Sequence, residues 1–163
     1  MAYAIRPYRD DDIAFLWEML YQSIYIPAGE QQPGREILDD PAIAKYLLHW
    51  GRDSDRALIA VDEDGTRLGA IWMRMWPDAE HGWGYVDDET PELGMAVCAE
   101  YRGRGLGGQL LRAIAAEAQQ AGFRALSLSV DPRNVAALTL YQRHGYQFLF
   151  EDQGGSWTMK RLL

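Results

Sequence analysis

Residues Glu92–Ile114 read ELGMAVCAEYRGRGLGGQLLRAI, and this stretch decides the fold. A short apolar run, Leu93–Cys98, predicts a strand. A turn follows that carries Arg102, Gly103, Arg104, Gly105, Gly107 and Gly108. An amphipathic helix starts inside the turn and runs to about Gln120. Glycines let backbone approach a ligand closely. The first amides of a helix lack partners within it and lie at the positive end of its dipole. With two arginines beside them, they describe a site for phosphate groups.

Outward from this stretch, Tyr3–Pro7 predicts a first strand. Asp10–Asp12 offer an N-cap to a helix carrying Ile13, Leu16, Trp17, Leu20 and Ile24 at helical spacing. Pro27–Pro33 predicts a loop, and Asp40–Trp50 a second helix with Pro41 at its first position. Ala57–Val61 and Thr66–Trp76 predict a hairpin around Glu63–Gly65. A long loop, Pro77–Pro91, leads into the opening strand. Beyond Gly122, Ala125–Val130 predicts a buried strand and Asn134–His144 a helix. Tyr146–Glu151 and Ser156–Arg161 predict a closing hairpin. The order is β-α-α-β-β-β-α-β-α-β-β, an α/β (α+β) mixed sheet, mostly antiparallel, with helices on both faces.

The 163 residues suit a single domain, 1–163. Twenty-four acidic against sixteen basic residues give a net charge of -8, which disfavours nucleic-acid binding. The single cysteine, Cys98, predicts a reducing compartment, and no Cys/His metal spacing is present. The N-terminus lacks the apolar core of a signal peptide, and no run reaches the ~18 apolar residues of a membrane span. These features predict a cytoplasmic protein without membrane, nucleic-acid or metal partners.

Gly103, Gly105 and Gly108 match GxGxxG, with Asp131 at the end of a later strand, so an NAD-binding oxidoreductase is one reading. Three observations oppose it. Only 32 residues follow Asp131, and they read as one helix and a hairpin. The turn carries two arginines, and four residues separate strand from first glycine.

Arg102-Gly103-Arg104-Gly105-Leu106-Gly107 resembles the Arg/Gln-x-x-Gly-x-Gly/Ala motif of the GNAT-type N-acetyltransferases. Met95-Ala96-Val97 is similar to that family's motif strand. Ser127–Phe148, SLSVDPRNVAALTLYQRHGYQF, is similar to its second motif, with Asn134 and Tyr141 at the family's spacing. Ile5–Leu20, IRPYRDDDIAFLWEML, is similar to its first strand and helix. The resemblance spans essentially the whole chain and implies transfer of an acetyl group from acetyl-CoA, as co-substrate, to a primary amine.

By this resemblance, Arg102, Gly103, Arg104, Gly105, Leu106, Gly107 and Gly108 hold the pyrophosphate. Met95, Ala96 and Val97 pair with the pantetheine arm, and Asn134 binds the cofactor or caps its helix. Tyr141 stands by the sulfur as general acid; packing of its ring is the structural alternative. Some relatives carry a glutamate where Ser129 stands, so that base does not transfer. Glu92 is the candidate base, with Asp87, Asp88 and Glu89 in the same acidic loop. A solvated loop that merely attracts a cation is equally consistent. Tyr25, Trp72, Trp83 and Tyr85 are candidate substrate contacts, although aromatic residues often serve the core. An aromatic, acid-rimmed pocket favours a cationic small molecule over a peptide N-terminus or lysine. Relatives are often homodimers. A non-catalytic acyl-CoA-binding or regulatory module on the same fold is the alternative to an enzyme.

Overall fold

The computed structural model describes residues 2–76 and 81–163. Among them, seven strands form one sheet in the order β1-β2-β3-β4-β5-β7-β6. The strands are β1 Ala4–Pro7, β2 Arg56–Val61, β3 Arg67–Arg74, β4 Glu92–Val97, β5 Ala125–Val130, β6 Gln147–Glu151 and β7 Trp157–Leu162. The helices are α1 Ile13–Ser23, α2 Pro41–Ala44, α3 Leu106–Gln120 and α4 Val135–Arg143. Every pairing is antiparallel except β4 with β5. A single parallel pair is not the doubly wound sheet of a dinucleotide-binding domain. The expected mixed, mostly antiparallel sheet is the one observed. The loop expected at Pro77–Pro91 lies partly outside the described residues.

Two apolar layers sandwich the sheet. Along β3, Ile71 and Met73 face the layer that contains α3, while Ala70 and Trp72 face the layer that contains α1. Strand β2 is buried on both faces, which explains its unbroken apolar run Ala57–Val61. On α3, Leu106, Leu110, Ile114 and Ala118 make one buried stripe at four-residue spacing, flanked by Leu111 and Ala115. Each fully buried leucine or isoleucine contributes roughly 1.5–3 kcal/mol.

Two local expectations change. The helix expected over Asp40–Trp50 is α-helical only through Ala44. Arg74, reaching over from β3, donates from Nη1 to the carbonyls of Lys45 and Leu48, each at 2.8 Å. These acceptors are thereby taken up by a side chain, and His49 adopts a left-handed φ of 55° before Gly51. Arg74 itself is buried and paired with buried Asp55 at 2.8 Å. Asp12, expected as a cap of the first helix, makes no capping bond to α1. It is fully buried and accepts from Arg6, Arg67 and the Arg9 amide, which fastens the start of the chain to β3.

Strands β4 and β5 position the site. Their pairing is confined to Glu92 opposite Ser127. Beyond that point the strands diverge, leaving the C-terminal half of β4 with an unpaired edge.

Candidate active site

A cleft of about 1270 Å³ opens at this divergence. One end is the glycine turn, the middle is β4 from Met95 to Val97, and α4 from Asn134 to Arg143 forms the opposite wall. The far wall is α1 and the segment after it, including Glu18, Tyr21, Tyr25 and Pro33.

The glycines of the turn do two different jobs. Gly103 and Gly105 have φ of +75° and +85°, and a Cβ at either would touch nothing within 4 Å. Their requirement is conformational, because the left-handed region disfavours other residues. Gly107 and Gly108 are packing positions. A Cβ on Gly107 would stand 2.9 Å from Leu140 and 3.1 Å from Met95, and one on Gly108 would stand 3.2 Å from the His144 ring. Gly105 lies at the N-cap of α3, so the first amides of that helix face the cleft end without side-chain caps. This is a fitting donor set for a pyrophosphate.

The two arginines of the turn separate. Arg102 lines the cleft and donates through Nε to the Val97 carbonyl at 2.9 Å. Arg104 is absent from the cleft lining; it points to Tyr3 Oη at 3.2 Å and lies over the Tyr101 ring. Its expected place beside the pyrophosphate is therefore corrected. Arg143, at the end of α4, contributes a cation to the cleft that sequence reasoning did not single out.

Asn134 both lines the cleft and caps α4, its Oδ1 accepting from the Ala137 amide at 3.3 Å. Tyr141 lies on the cleft wall, 9% exposed, and burial pushes its hydroxyl up to about 12. It is therefore a protonated donor throughout the neutral range. Leu106, Gly107 and Gly108 lie on the same wall as Met95, Ala96 and Val97.

The expected substrate aromatics fare unevenly. Tyr25 lines the cleft, and its hydroxyl donates to the Arg133 carbonyl at 3.2 Å, which bridges the post-α1 segment to the start of α4. Trp72 is 1% exposed and lies against Gly94, where a Cβ would come within 2.8 Å of its indole. It belongs to the core and does not face substrate. Trp83 and Tyr85 also lie outside the cleft lining. Trp83 stacks on Tyr46 at 5.9 Å, while Tyr85 stacks on His81 and donates to Asp88 at 2.5 Å. The acidic loop is engaged elsewhere too: Asp87 accepts from Glu89 and Thr90 and stands 3.9 Å from Lys160.

Glu92 is buried and takes no part in the cleft lining. Its carboxylate accepts from Tyr46 Oη at 2.8 Å and from Trp76 Nε1 at 3.0 Å. Burial pushes it up to about 7, against the opposing pull of those donors, the Gly84 amide and the Lys45 charge. Tyr46 precedes Glu92 by 46 residues, and no local sequence signal links them.

The match to known proteins follows this geometry. A family model described as Acetyltransferase (GNAT) family matches residues 17–146. The chain belongs to the GNAT acetyltransferase family. A relative in Bacillus subtilis (strain 168), named provisionally as a ribosomal protein bS18-alanine N-acetyltransferase, is 28% identical over 146 residues, covering 88% of this chain and 80% of its own length. The mycothiol acetyltransferase of Paenarthrobacter aurescens (strain TC1) is 36% identical over 98 residues, 58% of this chain and 28% of that protein. Among solved structures, a GCN5-related N-acetyltransferase from Kribbella flavida superposes with a TM-score of 0.70 at 25% identity, covering 99% of this chain and 98% of its own. The GNAT domain of S. lividans PAT has the same fold, with a TM-score of 0.69 at 19% identity over 98% and 89% of the two chains. The family uses acetyl-CoA as co-substrate.

Proposed function

We infer that this protein transfers the acetyl group of acetyl-CoA directly to a primary amine. The observation that carries the reading is the convergence on one cleft of the α3 amides, the unpaired β4 edge, Asn134 and the Tyr141 hydroxyl. Acetyl-CoA brings an acetyl group activated as a thioester. The α3 amides, with Arg102 and Arg143, hold its phosphates. The β4 edge from Met95 to Val97 pairs with its pantetheine amides as an added strand. A β4 amide also supports the thioester oxygen as charge builds there. Tyr141 donates its hydroxyl proton to the departing thiolate.

The acceptor arrives as an ammonium and loses a proton before it attacks. Glu92, pushed up to about 7, is the candidate recipient; it lies outside the cleft lining, so the proton reaches it through a relay and not by direct contact. The acidic loop does not line the cleft, so it no longer argues for a cationic small molecule over a peptide N-terminus or lysine. The alanine named for the Bacillus subtilis relative supports a single primary amine as the minimum acceptor.

The test is calorimetric binding of acetyl-CoA together with free-thiol release across a panel of peptide, lysine-like and small-molecule amines. Thiol release that depends on one amine class is the expected result. Binding without thiol release from any amine would turn the assignment to a non-catalytic acyl-CoA-binding module.

A further inference from the structure

The carboxylates on the cleft wall are not those of the acidic loop. Among the described residues that line the cleft, they belong to Glu18 and Glu100. Glu100 is exposed just past β4, whereas the Glu18 side chain is 32% exposed and stands on α1. Glu18 looks toward the end of β4. Burial, then the Glu100 charge and, less strongly, the Glu18 charge push the thiol of the cleft residue Cys98 up.

A cation from the same chain already sits on Glu18. Arg35 donates to it twice, from Nη2 to Oε1 at 2.6 Å and from Nε to Oε2 at 3.1 Å. Its guanidinium carbon lies 4.8 Å over the Tyr21 ring. Gln22 Nε2 donates to Glu18 Oε1 at 3.2 Å and steadies the carboxylate. Glu18, Tyr21 and Gln22 follow at i, i+3 and i+4, so one face of one helix presents the whole set. A carboxylate that takes two parallel bonds beside an aromatic face suits a planar or compact cation.

The occupant is held at the surface and the walls are anchored elsewhere. The Arg35 side chain is 66% exposed, at the start of a short 3-10 helix, Arg35–Asp39. An exposed pair of this kind contributes little to stability. Tyr21 is buried and its hydroxyl donates to the Pro33 carbonyl at 2.5 Å. Helix α1 is fixed by Leu16, Met19 and Leu20 in the core. Exchanging one cation for another on Glu18 therefore leaves the wall in place.

We propose that Glu18, Tyr21 and Gln22 form a seat for a second cationic group of the acceptor, a guanidinium or ammonium set apart from the reacting amine, and that Arg35 fills this seat until the acceptor displaces it. The proposal rests on the acetyltransferase reading and deepens it: the acceptor is a primary amine that carries a further positive charge. Ala96 and Cys98 are two residues apart on the wall that Glu18 faces, roughly 7 Å, which suits a spacer of a few carbons. Glu18 is then a specificity residue, and Arg35 is a tethered competitor.

Agmatine, a primary amine with a guanidinium at the far end of a butyl chain, is the probe, and butylamine is its singly charged counterpart. Saturation-transfer NMR on the full chain should show wild type binding agmatine at least fivefold more tightly than butylamine. Glu18→Gln should erase that preference. Arg35→Ala should strengthen agmatine binding at least threefold, and adding Glu18→Gln should cancel the gain. Equal affinities in wild type, a preference that survives Glu18→Gln, or agmatine binding unchanged or weakened by Arg35→Ala overturns the proposal. Turnover separates a seat from a structural prop. With acetyl-CoA present, Glu18→Gln should raise KM for agmatine at least fivefold more than KM for butylamine, and equal rises overturn the proposal. The peptide Ala-Arg-Ala, run against Ala-Ala-Ala, identifies the source of the charge. A Glu18-dependent preference in the peptides places it on a peptide side chain, and one confined to agmatine places it on a small molecule. Wild type that fails to bind acetyl-CoA in calorimetry defeats the acetyltransferase reading even where the agmatine preference holds. Acetyl-CoA binding without that preference defeats the seat alone.

Discussion

Arg102 Nε donates to the Val97 carbonyl at 2.9 Å, so the glycine turn is tied to the last residue of β4. The bond fixes the turn's height over the strand edge and engages Nε, not the outer guanidinium nitrogens. Arg102→Ala removes the tie and the charge together. A hydrogen bond to a charged group contributes about 1.5–3 kcal/mol. Acetyl-CoA should therefore bind roughly tenfold more weakly or worse, measured by calorimetry at fixed salt. Arg104→Ala, whose side chain lies against Tyr3 and Tyr101, should change that affinity far less.

Tyr141→Phe keeps the ring on the cleft wall and deletes the proton donor. Loss of a general acid lowers turnover by about 10²–10⁴. The expected outcome is a fall in kcat of that order, with acetyl-CoA affinity within about twofold. Because burial pushes the hydroxyl up to about 12, wild-type turnover should show no tyrosine deprotonation limb below about pH 11. Unchanged kcat in the variant would remove Tyr141 from the acid role.

Stability should depend on pH through Glu92. Its folded-state value of about 7 lies above the ordinary 4.5, so the native state holds a proton that the unfolded chain has released. This contribution is complete below about pH 4.5 and is lost as pH rises to about 7. The change is on the order of 3 kcal/mol. Asp12 acts with the opposite sign. Its hydrogen bonds from the Arg6 and Arg67 side chains and the Arg9 amide hold its carboxyl below the usual range, so its contribution is lost on acidification below about 3.8. Urea titrations from pH 4.5 to 8 should show wild-type stability falling, and Glu92→Gln should flatten that slope.

Asp55→Ala leaves the Arg74 guanidinium buried beside an empty place. Breaking a buried pair from one side costs about 3–5 kcal/mol. Chemical denaturation should show a loss of that size. Arg35→Ala breaks an ion pair with Glu18 on the exposed rim of the cleft, and its effect on stability should be too small to resolve.

Much of the fold was legible because local signals agreed with the global arrangement. The strand Ala125–Val130 carries an apolar run with a stop on either side, and its observed limits are the expected ones. The glycine turn announced α3 and its exposed amides. The second helix was misjudged because its end is set by Arg74, a residue on a later strand. The site divides along the same line. Tyr141, Asn134 and the β4 residues belong to contiguous motifs, and they meet on one cleft. Trp72, Trp83 and Tyr85 offered only residue type, and type does not say which face of a sheet or loop a ring occupies. The Tyr46–Glu92 bond and the walls supplied by Tyr21 and Pro33 depend on chain crossings that no local pattern records.

The Arg74 guanidinium also bears on how the molecule comes apart. Helix α2 is only four residues long, too short to persist alone, and carbonyls just beyond it are held by a strand side chain. It therefore has no independent unfolding unit. The amides of residues 44–48 should exchange with the protection of the central strands they are bolted to, and α2 should melt when β3 leaves the sheet and not before.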